Sequence, residues 1–402
     1  MNSKANASPV YEKENDDIIG VYKPVRIGGT AIGRVANFNW FVSKDETVGD
    51  LADALVKNDD IYAICVVNDD YQVQGIIVRR ELFNLLGDSE EREKYSRRTV
   101  VSVMKAVSTF HYMADSFVIA DEIASSMSKP TMTYYVLVRE EDKFAGIFSS
   151  KDILLFMSEV TQKDIEMARS LQCSIVKEEK FENHECVDIV GATKMAKGIG
   201  GDFYDFKKVD DENLIIVLCD AIGKGIAASI IPSLIGGMAY VYDFRRGGVR
   251  RYVKMLNNYF SNNFGTEIFI TGVFSSVNTN SREVILYDTG HSFIFVHRDG
   301  KLHRLSTCEE NIPLGITADT EYRGMKFLGK EGDIIVMLTD GIPEQLIYDG
   351  TKYGEKRIGE LIDRYRDLGV KRIKDEIFAE VADYRGTIPQ QDDMTVIVME
   401  IK

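Results

Sequence analysis

The chain has 402 residues, 45% of them hydrophobic and 28% charged, and carries a net charge of −14 at pH 7. At roughly 150 residues per domain, that length holds two or three domains. The acidic balance argues against a nucleic-acid groove or a polybasic membrane anchor, and no apolar run approaches the roughly 20 residues that span a bilayer. The stretch Met1 to Asp17 is polar and has no apolar signal core. Five scattered cysteines, Cys65, Cys173, Cys186, Cys219 and Cys308, form no CxxC pair, which implies reduced thiols in a cytoplasmic protein.

From Val42 to Leu86 the pattern reads helix, strand, strand, helix. Val48 to Leu55 has apolar residues at helical spacing. Ile61 to Val67 is β-rich and ends at the turn signal Asn68-Asp69-Asp70, after which Val73 to Val78 and the short helix Arg80 to Leu86 follow. A second copy lies at a constant offset of about 71 residues, by which Asp50 pairs with Asp121 and Gly75-Ile76 with Gly146-Ile147. In it, Tyr134 to Val138 and Gly146 to Ser149 are the strands, and Lys151 to Leu155 opens the closing helix.

This repeat resembles a tandem pair of cystathionine-β-synthase (CBS) domains, a Bateman module, over residues 36–160, with copies at 36–98 and 99–160 and an extension at 1–35 before them. The family's nucleotide-contact signature is Gly-Ile, then a hydroxyl residue three places and an aspartate six places after the glycine. The second copy carries it as Gly146, Ser149 and Asp152; the first has Val78 and Glu81 instead. The resemblance implies an adenine-nucleotide site at Ser149 and Asp152. A second reading stands beside it, in which the two residues only cap the helix that begins near Lys151.

Lys151 to Lys180 contains no Pro or Gly. Leu154, Met157, Thr161, Asp164, Ala168, Leu171 and Ile175 alternate steps of three and four, a heptad-like spacing broken at Thr161 and Asp164. Either a connecting helix, with a linker at 161–184, or a parallel dimer stalk has this pattern.

Beyond Lys180, strand runs alternate with acidic breaks. Gly200-Gly201-Asp202-Phe203-Tyr204-Asp205 precedes the strand Asn213 to Cys219, which ends at Asp220-Ala221-Ile222-Gly223-Lys224-Gly225. The strand Asp333 to Leu338 ends at Thr339-Asp340-Gly341-Ile342-Pro343-Glu344, and Gln390-Gln391-Asp392-Asp393-Met394-Thr395 runs into the last strand, Val396 to Met399. A lone aspartate at such a break is usually a turn or cap residue. Several carboxylates meeting at rigid strand ends repel one another unless hard divalent cations neutralise them, and two such ions can activate a water against phosphorus.

These four motifs, in this order, resemble the bacterial PPM (PP2C-type) serine/threonine phosphatases of the SpoIIE/RsbU-like class over residues 185–402. Tyr287-Asp288-Thr289-Gly290-His291 takes the place of that family's Asn-Ala-Gly-His, and Pro313-Leu314-Gly315 matches its Pro-Leu-Gly turn. The resemblance implies a mixed α+β and α/β chain: a CBS pair joined by a helix to an α-β-β-α sandwich. It implies two Mn²⁺ or Mg²⁺ ions bridged by Asp220, with the Ala221 carbonyl as a further ligand. Asp340 and Asp392 would serve the first ion and Asp202 the second, while Asp205, Glu344 and Asp393 orient them. Water would attack phosphoserine or phosphothreonine directly, with no cysteine nucleophile. His291 is either an acid to the leaving group or a structural residue, and Lys224 either a phosphate contact or solvated surface.

The expected function is a cytoplasmic, metal-dependent protein phosphatase regulated by its CBS module, a homodimer acting on a STAS-type anti-sigma-factor antagonist. The alternative is a non-catalytic, nucleotide-sensing scaffold that holds a signalling partner through a phosphatase-like domain.

Overall fold

The computed structural model describes residues 10–13, 17–24, 27–126, 132–223, 226–265, 268–305 and 311–402. Lys224, Gly225 and Cys308, and much of the 1–35 extension, lie outside the described residues. The chain divides into two compact units, Met1–Gln162 and Lys163–Lys402.

In the first unit, β1 (Val10–Glu12), β2 (Ile19–Lys23) and β3 (Trp40–Ser43) lead to α1 (Val48–Lys57), β4 (Ala63–Val67), β5 (Val73–Val78), α2 (Arg79–Leu86) and α3 (Ser89–Tyr95). Then come β6 (Thr109–His111), α4 (Ser116–Ser126), β7 (Tyr134–Val138) and β8 (Phe144–Ser149). The two halves of this unit pair their strands in the same way. β3 runs parallel to β4 and β6 parallel to β7, while β4–β5 and β7–β8 are antiparallel hairpins. Each hairpin shifts register at one place, Val66/Val67 in the first and Leu137/Val138 in the second, again 71 residues apart. A bulge re-aims the strand it interrupts, and the two hairpins carry theirs at matching places. β4 is buried throughout and β7 nearly so, which explains their unbroken apolar sequences.

Helix α5 (Ser150–Ile175) crosses the boundary between the units. Its start is a reciprocal cap: Ser149 Oγ accepts from Asp152 N at 3.3 Å, and Asp152 Oδ2 accepts from Ser149 N at 2.7 Å.

The second unit comprises β9 (Glu179–Asn183), β10 (Val187–Lys194), β11 (Asp202–Lys208), β12 (Asn213–Ala221), α6 (Ile226–Val241) and α7 (Phe244–Phe264). These are followed by β13 (Ile270–Asn278), β14 (Glu283–Asp288), β15 (Ile294–Arg298), β16 (Lys301–Arg304), β17 (Met325–Leu328) and β18 (Ile334–Leu338), then α8 (Glu355–Tyr365), α9 (Gly369–Arg385) and β19 (Met394–Ile401). Two antiparallel sheets form, ordered β16-β15-β18-β19-β10-β9 and β11-β12-β13-β14-β17. In β18, Ile335 and Met337 enter the core shared with the other sheet, while Ile334, Val336 and Leu338 pack with α8 and α9. Helices α6 and α7 cover the second sheet, contributing Ile231, Ile235, Tyr252 and Leu256 to its core. A sheet covered on both faces needs apolar residues at every strand position, not alternate ones. The result is a helix–sheet–sheet–helix layering with the acidic breaks at strand ends.

Candidate active site

β11 and β12 are antiparallel, with Asp202 directly opposite Asp220. Cross-strand neighbours lie close enough for like charges to oppose each other. Asp202 is 3% exposed. Burial raises its carboxyl well above the usual carboxylate range, and the charges of Asp220 and Asp393 push it the same way.

Two threonines oppose that rise. Asp202 Oδ2 accepts from Thr339 Oγ1 at 2.7 Å and from Thr395 Oγ1 at 2.5 Å. Thr339 Oγ1 in turn accepts from Thr395 N at 2.9 Å, and Thr193 Oγ1 lies 2.8 Å from Thr395 Oγ1. Since the Thr395 hydroxyl donates to Asp202, Thr193 donates to it. Thr339 immediately precedes Asp340, and Thr395 follows Asp392 and Asp393. The neighbouring strands β18 and β19, paired through Leu338 and Val396, therefore end where Asp202 begins β11.

Asp340, Glu344 and Asp392 line one cleft of about 190 Å³ together with Lys352, whose ammonium pairs with Glu344 at 2.8 Å. Asp393 is turned to the backbone: its Oδ1 accepts from Ala196 N at 2.8 Å and its Oδ2 from Gly201 N at 2.7 Å. Ala221 N donates to Gly201 O at 3.2 Å, and a Cβ on Gly201 would sit 2.9 Å from Ala221 O. Glycine at 201 thus leaves the Ala221 carbonyl uncovered.

The other expected residues fall elsewhere. Asp205 is three positions from Asp202, an odd step that turns it to the opposite face of the strand, where it pairs with Lys180 at 2.8 Å. His291 is 5% exposed; its Nε2 donates to Leu338 O at 2.6 Å and its Nδ1 lies 3.1 Å from Thr271 Oγ1. Both ring nitrogens are thus committed to structure. Burial pushes the Cys219 thiol up, with Asp220 and Asp202 adding to it. In the first unit, Asp152 takes hydrogen bonds from Ser149 and, on Oδ1, from Asn37 Nδ2 at 2.6 Å.

The contributions of Thr193, Thr339 and Thr395, and of Gln172, which bonds Gly200 before Asp202, are not evident from the motifs. For the two later threonines a signal exists, since each adjoins an aspartate motif at a strand end. Gln172 is marked by nothing but a polar residue amid apolar spacing.

Asp202, Asp220, Asp340, Asp392 and the Ala221 carbonyl are all hard oxygen donors, the set that divalent Mg²⁺ or Mn²⁺ takes. The crowding of Asp202 by Asp220 and Asp393 is the electrostatic situation a cation relieves. Among the described residues, no three carboxylate, histidine or cysteine side chains already stand close enough to hold one ion.

This fold and the family match over residues 210–402 define the class: the second unit is a PP2C-type serine/threonine phosphatase domain. Residues 210–402 match the Stage II sporulation protein E (SpoIIE) family and residues 38–88 the CBS domain, so the chain joins a CBS domain to a SpoIIE-type domain. It is 28% identical over 249 residues to the phosphoserine phosphatase RsbU of Bacillus subtilis, covering 60% of this chain and 71% of that one. It is 24% identical over 225 residues to the stage II sporulation protein E of Priestia megaterium, where it spans only 36% of the relative. The fold is similar to that of the SiaA-PP2C domain of Pseudomonas aeruginosa, with a TM-score of 0.52, 16% identity, and coverage of 61% of this chain and 99% of that domain. Among the described residues, no helix is long and apolar enough to cross a membrane.

Proposed function

We propose that the chain is a metal-dependent, cytoplasmic protein serine/threonine phosphatase governed by a tandem CBS module, with a phosphorylated STAS-type anti-sigma-factor antagonist as its substrate. The observation that carries this reading is the double hydrogen bond of Asp202 to Thr339 and Thr395. It draws the strand end bearing Asp202 and Asp220 to the one bearing Asp340 and Asp392. Asp220 would serve both of two Mn²⁺ or Mg²⁺ ions, with the Ala221 carbonyl as a further ligand, Asp340 and Asp392 on the first ion and Asp202 on the second. The ions, when bound, supply an activated water and charge neutralisation at the phosphoryl group. The chain's part is to hold the carboxylates ionised and oriented, with Asp393 and the threonines as their supports.

The CBS module is read as the sensor of an adenine nucleotide, with Asp152 exchanging its Asn37 contact for ribose hydroxyls. The exposed Leu154 and Leu171 of α5 support a homodimer through the module and this helix.

Mn²⁺-dependent hydrolysis of a phosphoserine peptide by wild type and Asp220→Asn, with and without adenine nucleotides, tests the reading. The variant should lose more than the roughly 10–100-fold that removal of an outer-shell partner costs. Equal, negligible rates across metals and nucleotides would leave the scaffold reading standing instead.

A further inference from the structure

A cavity of about 720 Å³ opens in the second unit among the end of α5, β9, β10 and α9. Its size is that of small-molecule sites. One wall is apolar: Ala192, Ala379, Ala382 and the ring of Phe378. Three cations line it, and two are neutralised. Lys374 pairs with Glu179 at 2.7 Å and Asp375 at 2.6 Å, and Arg169 pairs with Glu178 at 3.5 Å.

Lys194 is the third. Its ammonium lies 4.4 Å from the centre of the Phe378 ring, and among the described residues no carboxylate comes within ion-pair distance of it. Burial lowers its pKa, as do the neighbouring cations Lys374 and Arg385, against the weaker pull of Asp375. A cation held beside an aromatic face, with no carboxylate at ion-pair distance, offers an incoming anion a partner.

The cavity wall also reaches the Asp392 turn and the Thr395 hydroxyl by hydrogen bonds. Gln390 Nε2 donates to Lys194 O and to Asp392 O, both at 2.7 Å. Thr193, beside Lys194, donates to the Thr395 hydroxyl that holds Asp202.

We propose that this cavity is a second ligand site, for a small organic anion whose phosphate or carboxylate meets Lys194 and whose flat apolar body lies on Phe378, Ala379 and Ala382. Through Gln390, the occupant of this site acts on the turn that carries Asp392. The site is separate from the carboxylate cleft, and its binding does not depend on the phosphatase reading.

Calorimetric titration of the full chain in EDTA with phenylphosphonate, benzoate and inorganic phosphate tests this. Saturable binding of one of the two aromatic anions is expected, tighter than that of inorganic phosphate. It should weaken at least tenfold in Lys194→Gln, and survive in Lys194→Arg and in Asp220→Asn. Ala379→Leu, which fills the apolar wall, should abolish it, and carries the test if Lys194→Gln fails to fold. Absence of saturable binding by both aromatic anions overturns the site, as does equal affinity in wild type, Lys194→Gln and Ala379→Leu. Loss of binding in Asp220→Asn would place the anion in the carboxylate cleft and overturn it too. Inorganic phosphate binding as tightly as phenylphosphonate and benzoate overturns the organic class.

Discussion

Gln172, near the end of α5, grips Gly200 by both ends of its amide: Nε2 donates to Gly200 O at 2.6 Å, and Oε1 accepts from Gly200 N at 3.1 Å. The side chain is 2% exposed, so both bonds form away from bulk water. Gly200 and Gly201 lead into Asp202, so the helix is fastened two residues before the buried carboxylate. Leaving buried polar groups unsatisfied costs about 1–3 kcal/mol.

Gln172→Ala should therefore lower stability by about that amount, and Mn²⁺ affinity with it. Gln172→Glu should be worse than Ala, because it sets an acceptor against the Gly200 carbonyl. Chemical denaturation and Mn²⁺ titration of the three proteins check the order. A glutamate variant equal to wild type would contradict it.

The acidic breaks were legible in the sequence because a turn between apolar strands is written in local composition. Asp220 and Asp340 each follow a continuous apolar run, and the strands extend to or just short of them, Asn213–Ala221 and Ile334–Leu338. The pairing of Asp202 with Asp220 was not legible, since antiparallel register is set by the hairpin between them and not by either motif. Asp205 shows the same limit from the other side: its motif suggested a place near the ions, and strand alternation sends it to Lys180. In the first unit, the 71-residue offset was readable because a turn signal follows β4 and another follows β7. The matching bulges at Val66/Val67 and Leu137/Val138 are hydrogen-bond features that leave no mark in residue type.

The hydroxyls on Asp202 can be removed with little change of shape. Thr395→Val leaves Asp202 with the Thr339 bond, and Thr339→Val leaves it with the Thr395 bond. Each should lower Mn²⁺ affinity by about 10–100-fold, the usual effect of losing an outer-shell partner. The double variant should not be additive, because both act on one oxygen. Mn²⁺-concentration dependence of hydrolysis measures this, with thermal unfolding as the control for fold.

Gly341 follows Asp340, and a Cβ there would fall far inside contact distance of the Asp393 backbone oxygen. Gly341→Ala must push the Asp392–Asp393 turn away from Asp340, so hydrolysis and Mn²⁺ binding should both collapse. Gly237, exposed in α6, has nothing within 4 Å of its would-be Cβ. Gly237→Ala should stabilise by about 0.5–1 kcal/mol through helix propensity. Opposite signs from one substitution type at two glycines would tie the loss at Gly341 to close approach.

His291 supplies a pH test of the fold. Burial lowers its pKa, overriding the Leu338 carbonyl and the Asp288 charge, which act to raise it. The native ring is therefore neutral, while in the unfolded chain it takes a proton below about pH 6.5. Under those conditions the unfolded state binds more protons, so this residue's contribution to stability is full above pH 6.5. It declines as the pH falls toward the lowered native value, by at most about 1.4 kcal/mol per pH unit. Asp202 acts with the opposite sign in metal-free protein, since its raised carboxyl takes up protons in the native state first. Comparing wild type with His291→Gln cancels that common term. Urea unfolding in EDTA at pH 7.5 and 5.5 should show the wild type losing more stability than the variant on acidification. Parallel losses would mean that the ring is protonated in the native state, with Nδ1 donating to Thr271 in place of accepting from it.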